Sequence, residues 1–322
     1  MKGFDGVLRM VAVGVLIGLA GSVAAQQAYP NKPIRFILPY AAGGNTSVLA
    51  RLVGQKLTES WGQQLIVDNR AGGNTIIGTE ALTKSPPDGY TILMTTATHT
   101  ILTPVPYDPI KDFASVATLT RSEKVLVIHP SLKAGNLREF IALAKSKPGE
   151  LNFSSPDAGG VQHLAGELFS LMAGVKLQHI PYKGGGQAVT DLIGGQVQLS
   201  FQNSIAVLGH VKTGKLRALA VSGENRLASL PQVPTFTEAG LPGFGVSTWF
   251  GILAPAGTPK EIIDKLSAEI ARILNTPDIR ERLAALEMYP FISTPDQFAA
   301  LMKADMAKYA KVIKDANIKL EN

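Results

Sequence analysis

The sequence predicts an α/β fold in which parallel-rich sheets are flanked by helices. The first observation is an alternation, along most of the chain, of short β-rich runs with apolar stripes at helical spacing. The second is a pair of long strand-like segments, "ASVATLTRSEKVLVIHP" and "GVSTWFGILAPAGTP", that look like strands crossing between two lobes. Since no long polar linker separates two domains, we expect two lobes joined by two crossing hinge strands.

The strands are predicted at runs of apolar and β-branched residues bounded by turn residues. In chain order these runs are IRFIL, QLIVD, YTILM, KVLVIH, LNFS, KLQHI, VQLSF, LRALAVS and WFGILAP. After Pro259 the pattern becomes almost wholly helical, in three segments that each have proline at or near the first turn. These segments are PKEIIDKLSAEIARIL, PDIRERLAAL and PDQFAALMKADMAKYAKVI.

The two crossing segments divide the chain. The first crosses at about Thr120 to Val125, and the second returns near Val246 to Gly251. The first lobe is therefore predicted to be discontinuous, with residues 26–124 and 247–322, and the second lobe to hold residues 125–246. We expect a ligand site in the crevice between them.

The amino-acid composition of the chain limits the kinds of partner that it is expected to bind. The chain has 322 residues, a formal net charge of +6, 45% hydrophobic residues and 17% charged residues. The lysines and arginines are dispersed, and no basic block of the kind found in nucleic-acid-binding arms is present. The sequence thus predicts no nucleic-acid partner and a weak attraction for small anions.

The N-terminus has the pattern of a secretory signal peptide over residues 1–25. Lys2 and Arg9 flank a short apolar run, and small residues follow it. Cleavage is predicted after Ala25, although Ala24 also satisfies the small-residue rule. The apolar run is shorter than the roughly 20 residues that a membrane span needs. Because the chain contains no cysteine, we expect neither a disulfide nor a lipid anchor, and an exported protein free in an extracytoplasmic space.

A glycine turn follows the first predicted strand. Gly43 and Gly44 allow close approach to the main chain, and the amides of the next helix suit an anion. "GGNTSV" has neither the third glycine of a dinucleotide-binding motif nor the GK[ST] of a P-loop. The alternative is a plain turn in which Asn45, Thr46 or Ser47 caps the helix.

Four similar turns follow other predicted strands. They are NRAGGNTIIG, TTATHT, SSPDAGGVQHLAGELF and PYKGGGQAV. In an open α/β sheet, ligands bind beyond the carboxyl ends of the strands, where these turns fall. Together the turns favour a binding cleft.

Patterns for catalysis and for metal binding are mostly absent. The sequence has no GxSxG nucleophile elbow, and its five histidines have no metal-ligand spacing. His99 is the best functional candidate, with packing or capping as its alternative role. We therefore expect no enzyme activity and no cofactor or metal. The rival interpretation is a secreted hydrolase in which Ser154 or Ser155 pairs with His99 or His163.

Several long motifs carry a specific resemblance. They are YPNKPIRFILPYAAGG, VDNRAGGNTIIGTEALTKSPPDGYTILM, HLAGELF, IPYKGGGQAVTDLIGGQV and VPTFTEAGLPGFGVSTWFGILAPAGTP. In this order, across the mature chain, they resemble the Bug-type (Bordetella uptake gene) receptors, which are the extracytoplasmic solute-binding subunits of tripartite tricarboxylate transporters.

The resemblance implies a two-lobed periplasmic binding protein of type II, or Venus-flytrap, architecture. Such a protein closes over a small di- or tricarboxylate or aromatic carboxylate and delivers it to integral-membrane transporter subunits. It is not an enzyme, and we expect a monomer. An alternative is a sensor subunit that presents its ligand to a signalling receptor.

The resemblance also implies a set of ligand-binding residues. One ligand carboxylate would be held by backbone amides of the glycine turn, and the other turns would supply the rest of the cleft. The implied positions are Tyr40, Gly43, Gly44, Asn45, Ser47, Thr95, Thr98, His99, Ser154, Ser155, Gly160, Gln162, Tyr182, Lys183, Gln202 and Asn203. Trp249 is expected to pack at the hinge.

Three positions depart from the family pattern. Ser47, Gln198 and Gln202 stand where the family commonly carries aspartate. The hypothesis is that the ligand lacks a positive amino group, because acids in a cleft would favour an ammonium group and repel a second carboxylate. The alternative is that Ser47 caps its helix and that Gln198 lies on a packed strand.

Overall fold

A computed structural model describes residues 29–40, 42, 45–100, 105–156, 158–182 and 184–318. The predicted signal peptide lies outside these residues. The strands are β1 (Ile34–Leu38), β2 (Leu65–Asn69), β3 (Thr91–Thr96), β4 (Phe113–Ile128), β5 (Asn152–Ser155), β6 (Gln178–Pro181), β7 (Leu199–Asn203), β8 (Arg217–Val221), β9 (Ser247–Pro255) and β10 (Tyr289–Pro290). The helices are α1 (Asn45–Trp61), α2 (Ile76–Thr83), α3 (Leu137–Ser146), α4 (Val161–Ala173), α5 (Gly185–Ile193), α6 (Ser204–Lys212), α7 (Lys260–Leu274), α8 (Pro277–Ala285) and α9 (Pro295–Asp315). Short 3-10 turns occupy Gly73–Thr75 and Ala97–Thr100.

The α/β fold with parallel-rich sheets flanked by helices is confirmed. Each predicted run contains or overlaps one of the strands β1 to β9, and the three helices after Pro259 are α7, α8 and α9. Parallel pairing holds between β1 and its neighbours β2 and β3, and between β5 and its neighbours β6 and β7. Strand β9 pairs antiparallel with both β3 and β4, because it runs in the opposite direction to these two strands.

The strand order is β2-β1-β3-β9-β4-β7-β5-β6, with β10 and β8 also paired to β4. We call the part built on β1, β2, β3, β9 and β10 the first lobe, and the part built on β5 to β8 the second lobe. Strand β4 belongs to both. Its register with β9 ends at Glu123, and its register with β7 begins at Lys124.

Three apolar clusters fill the molecule. One lies in the first lobe under α1, α7 and α8, and another in the second lobe under α5 and α6. The third contains side chains of both lobes together with Phe298, Met302, Tyr309 and Val312 of α9. The C-terminal helix therefore packs across the junction between the lobes, against β4 and against α4.

The start of α9 is fixed by its sequence. The Thr294 hydroxyl accepts from the Gln297 amide, and the Gln297 side chain accepts from the Thr294 amide, which forms a capping box before Pro295. Such a cap satisfies amides that the first turn would otherwise leave without partners. Among the described residues, no helix combines the length and the apolar character required to cross a membrane.

Candidate functional site

The site begins at the turn between β1 and α1. Gly43 and Gly44 lie outside the described residues, and Asn45 is the first residue of α1. Ser47, in the first turn of this helix, is 2% exposed. The Asn69 side chain donates to the Ser47 hydroxyl at 3.3 Å and to the Tyr40 carbonyl at 2.9 Å. Asn69 thus ties the end of β2 to both sides of the glycine turn.

Tyr40 connects this turn to the third strand. Its hydroxyl lies 2.9 Å from the Thr96 hydroxyl. Burial raises the pKa of Tyr40 to about 12, so the phenol is neutral. The backbone amide of Thr98 donates to the same Thr96 hydroxyl at 3.3 Å. The structure therefore brings the turns after β1 and β3 together, with Thr95 buried beside them in β3.

His99 lies in the aromatic core beside this turn. It is 3% exposed, stacks on Tyr107 and meets Phe113 edge-on. Its Nε2 is 3.0 Å from the Pro109 carbonyl, which can only accept, so Nε2 carries the proton. Burial lowers the pKa of His99 to about 4, which keeps the ring neutral. These contacts match the packing role rather than ligand contact.

In the second lobe, the hydroxyl-rich end of β5 is fully buried. The Ser154 hydroxyl donates to the Ala188 carbonyl at 3.4 Å, and Ser155 Oγ lies 2.7 Å from His179 Nε2. Gly160 directly precedes α4, and Gln162 lies partly buried in its first turn.

His179 and His163 form a stacked pair behind Ser155. Their ring centroids are 3.6 Å apart, and the Gly159 amide donates to His163 Nδ1 at 2.9 Å. Burial and the neighbouring His163 lower the pKa of His179 to about 3. Ser155 therefore meets a histidine that the sequence did not single out, instead of His99 or His163. A base with so low a pKa is poorly matched to proton abstraction near neutral pH.

Tyr182 follows β6 and is held to the same turn. Its amide donates to the Ser155 carbonyl at 3.0 Å. Burial, followed by interaction with the Asp191 carboxylate of α5, raises the pKa of Tyr182. Lys183 lies outside the described residues.

Two glutamines, one in β7 and one directly before it, are bonded within the second lobe. Gln202 is 2% exposed and donates to the Ser200 hydroxyl at 2.9 Å. Gln198 accepts from the Asn152 amide at 2.9 Å, which joins the loop before β7 to the start of β5. Gln198 thus lies one residue before β7, not on the packed strand that the alternative expected, and its side chain is bonded within the second lobe.

A buried lysine at the lobe junction was not found from the sequence. Lys124 is 0% exposed, and its ammonium donates to Asn203 Oδ1 at 2.5 Å and to Thr248 Oγ1 at 2.6 Å. Asn203 was among the predicted site residues. Lys124 was predicted only as the first residue of the strand KVLVIH, with no role at the site. The available signal was a lysine directly before a buried apolar run in a predicted crossing segment.

The opposite side of the junction holds other charged side chains. Glu123 pairs with Arg121 at 3.0 Å and accepts from the Ser222 hydroxyl at 3.1 Å. The Trp249 indole donates to Asp305 of α9 at 2.7 Å, consistent with hinge packing. Among the described residues, no group of three or more His, Cys, Asp or Glu side chains is placed to hold a metal ion.

The site is thus a set of short polar turns at strand ends in two lobes, with the buried Lys124 ammonium group at their junction. Hydroxyls, amides and an ammonium group suit an anionic ligand with several oxygens. Residues 49–318 match the model of the tripartite tricarboxylate transporter family receptor. The chain belongs to this family.

Relatives of the tripartite tricarboxylate transporter receptors match nearly the whole chain. Protein BugT of Bordetella pertussis is 39% identical over 322 residues, which cover 97% of this chain and 99% of the relative. The R. palustris protein Rpa4515, solved with adipate, is 32% identical with a TM-score of 0.77 and covers 90% of this chain and 99% of its own. MatC from Rhodopseudomonas palustris, solved with bound malate, is 29% identical with a TM-score of 0.72 and covers 88% of this chain and 100% of its own. The resemblance stated from the motifs is confirmed, as is the two-lobed architecture.

Proposed function

We propose that this chain is an extracytoplasmic receptor that captures a small di- or tricarboxylate or aromatic carboxylate between its lobes. The observation that carries the proposal is that two family structures, similar over about nine-tenths of the chain, were solved with adipate and with malate. The polar turns after β1, β3 and β5 support it, because hydroxyls and main-chain amides at strand ends suit carboxylate oxygens.

The proposed cleft places the glycine turn and Tyr40 on the first lobe, opposite Ser154, Gln162 and Asn203 on the second. The carboxylate would meet the amides of residues 43–47 first, and closure of the second lobe would complete its shell. The ligand must bind the closed state more tightly than the open one in order to drive closure. Strand β4, which belongs to both lobes, is suited to act as the hinge.

A thermal-unfolding screen tests the ligand class. The mature protein, unfolded and refolded to remove any bound ligand, is heated with mono-, di- and tricarboxylates, aromatic dicarboxylates and amino acids. A ligand at ~100 times its dissociation constant adds about 2.7 kcal/mol to the free energy of unfolding. We expect stabilisation by carboxylates without an amino group. Stabilisation by amino acids alone would contradict this ligand class, and no stabilisation by any compound would contradict the carboxylate-receptor role.

The delivery partner is proposed to be the integral-membrane subunits of a tripartite transporter, in a periplasmic setting reached through a cleaved signal peptide. Import of the radiolabelled ligand by a strain that lacks this chain is the test. Loss of import supports delivery, whereas import that continues unchanged favours the sensor role. N-terminal sequencing of the secreted chain checks cleavage near Ala25, and gel filtration checks the monomer.

Binding without catalysis is part of the proposal. The Ser155–His179 contact is the feature closest to a hydrolase, yet Ser155 is fully buried and the pKa of His179 is strongly lowered. Incubation with simple esters of the bound carboxylates should release no alcohol above the buffer rate. Hydrolysis that disappears on Ser155→Ala would refute a pure binding role.

A further inference from the structure

Lys124 occupies the point at which the two lobes meet. Glu123 is the last residue of β4 in register with β9, and Lys124 is the first in register with β7. Its side chain is fully buried. A buried lysine is uncommon, because taking an ammonium group out of water is costly unless polar groups compensate for it.

The ammonium fixes the orientation of its two neighbours. A lysine has donors only, so Asn203 turns its carbonyl oxygen toward Lys124 Nζ, 2.5 Å away. The amide NH₂ of Asn203 must therefore point elsewhere. Thr248 Oγ1 also accepts from Lys124, at 2.6 Å, so its hydroxyl hydrogen is directed to another acceptor.

The result is a cluster of donors contributed by three strands. Lys124 comes from β4, Asn203 from the end of β7 and Thr248 from β9. Asn203 and Thr248 are only partly buried, whereas the charge behind them is fully buried. A charge in such surroundings is screened less than one in water, so it biases this region toward anions.

The neighbouring acid belongs to the other face of β4. Successive side chains of a strand point to opposite faces. The Glu123 carboxylate accordingly pairs with Arg121 and the Ser222 hydroxyl. It leaves the donor arrangement around Asn203 intact.

We propose that Lys124 determines the ligand specificity of the cleft at its hinge end. It holds Asn203 and Thr248 as donors for a second anionic group of the ligand, and its charge disfavours a ligand with an ammonium group there. Lys124 is thus a positioning residue that acts chiefly through Asn203. This inference rests on the proposed receptor function and narrows its ligand to molecules with two separated anionic groups.

The experiment compares matched ligands that differ only at the far end. Titration calorimetry measures adipate, hexanoate and ε-aminohexanoate, and then succinate, butyrate and γ-aminobutyrate, on the refolded mature protein. The variants are Lys124→Met, which removes the buried charge at similar volume, and Lys133→Met, which removes an exposed lysine from the second lobe. Lys133→Met controls for net charge.

We expect the unaltered protein to discriminate within at least one of the two ligand sets. In that set the dicarboxylate should bind most tightly and the compound with an ammonium group least tightly. Lys124→Met should reduce the preference for the dicarboxylate over the monocarboxylate by about tenfold or more, because a charge-supported hydrogen-bond donor is lost. Lys133→Met should retain the preference for the dicarboxylate over the monocarboxylate. If Lys124 had a purely structural role, Lys124→Met would weaken the binding of all three ligands of a set equally.

Three results would overturn the inference. The first is an unchanged preference in Lys124→Met, the second is binding of the ammonium compound as tightly as the dicarboxylate by the unaltered protein, and the third is equal binding of the mono- and dicarboxylate by that protein. The second comparison needs no variant, so it decides the matter even if Lys124→Met does not fold. Equal binding of mono- and dicarboxylates sinks this inference alone, whereas the proposed function fails only if no carboxylate of the thermal-unfolding screen stabilises the protein.

Discussion

Individual residues at this site act mainly through the orientation that their neighbours impose. Lys124 sets which end of the Asn203 amide faces outward, and Asn69 bridges the two sides of the glycine turn. The motif resemblance implied Asn203, whereas the contacts of Lys124 and Asn69 were not predicted, since they join residues far apart in the chain. The same holds for Ser155 and His179, whose contact depends on the pairing of β5 with β6.

His99 should make the stability of the protein depend on pH. Its pKa in the folded state is lowered to about 4 by burial, from an ordinary value of 6.5. Between these values the unfolded chain binds more protons than the folded one, so stability falls as the pH falls through this window. At full effect the loss is about 3 kcal/mol.

Denaturant unfolding at a series of pH values checks this expectation. His99→Gln, which cannot titrate, should lose less stability than the unaltered protein between neutral pH and the acidic end of the window. Equal losses in the two proteins would show that His99 is not a source of the acid sensitivity.

Helices and strands were easier to predict than the way in which they pair. Strands β1 to β9 and helices α7 to α9 follow from local patterns of apolar residues, prolines and turn residues. The placement of β9 between β3 and β4 does not, because it depends on a return of the chain after more than a hundred residues. Close packing of elements also explains glycines that sequence patterns alone leave ambiguous.

Two helical glycines should respond oppositely to alanine. A Cβ on Gly166 of α4 would overlap the ring of Phe153, whereas a Cβ on Gly209 of α6 meets nothing within 4 Å. Gly166→Ala should lower the free energy of unfolding by about 1–3 kcal/mol through overpacking. Gly209→Ala should raise it by up to about 1 kcal/mol through helix propensity.

Urea unfolding of both variants measures the difference. Gly209→Ala is the matched control, because it makes the same chemical change in another helix. A Gly166→Ala variant as stable as the unaltered protein would mean that α4 and β5 are not packed as closely as described.

The bond between β9 and α9 should contribute measurably to stability. Trp249→Phe removes the donor to Asp305 and leaves the carboxylate oxygen buried, so we expect a loss of about 1–3 kcal/mol. A double-mutant cycle with Asp305→Ala, which removes the acceptor, followed by denaturant unfolding, separates this bond from the other contacts of each residue. Strictly additive losses would show that the bond itself contributes nothing.

The molecule as a whole is two lobes on one continuous arrangement of strands. One apolar cluster contains residues of both lobes and of α9, and β4 pairs in both. The two-lobed architecture was predicted from the motifs, but the shared cluster was not, since it depends on where α9 packs. The lobes should therefore be coupled in stability even though they are separate in topology.

We expect the protein to unfold in a single transition. Differential scanning calorimetry should give equal calorimetric and van't Hoff enthalpies for the ligand-free protein. Met302→Ala, which leaves a cavity in the shared cluster, should lower the midpoint of that one transition. Two resolved transitions, only one of which moves in Met302→Ala, would contradict the coupling.

The position of β9 between β3 and β4 also bears on how the chain folds while it is being made. The sheet of the first lobe lacks an internal strand until Ser247–Pro255 has left the ribosome, late in a chain of 322 residues. Helix α9 emerges later still. Non-local pairing of this kind is slow, because the closure of a long loop precedes the contacts that stabilise it. A chain made in this order cannot complete the sheet of its first lobe until synthesis is nearly finished, whereas all the strands of the second lobe are available earlier.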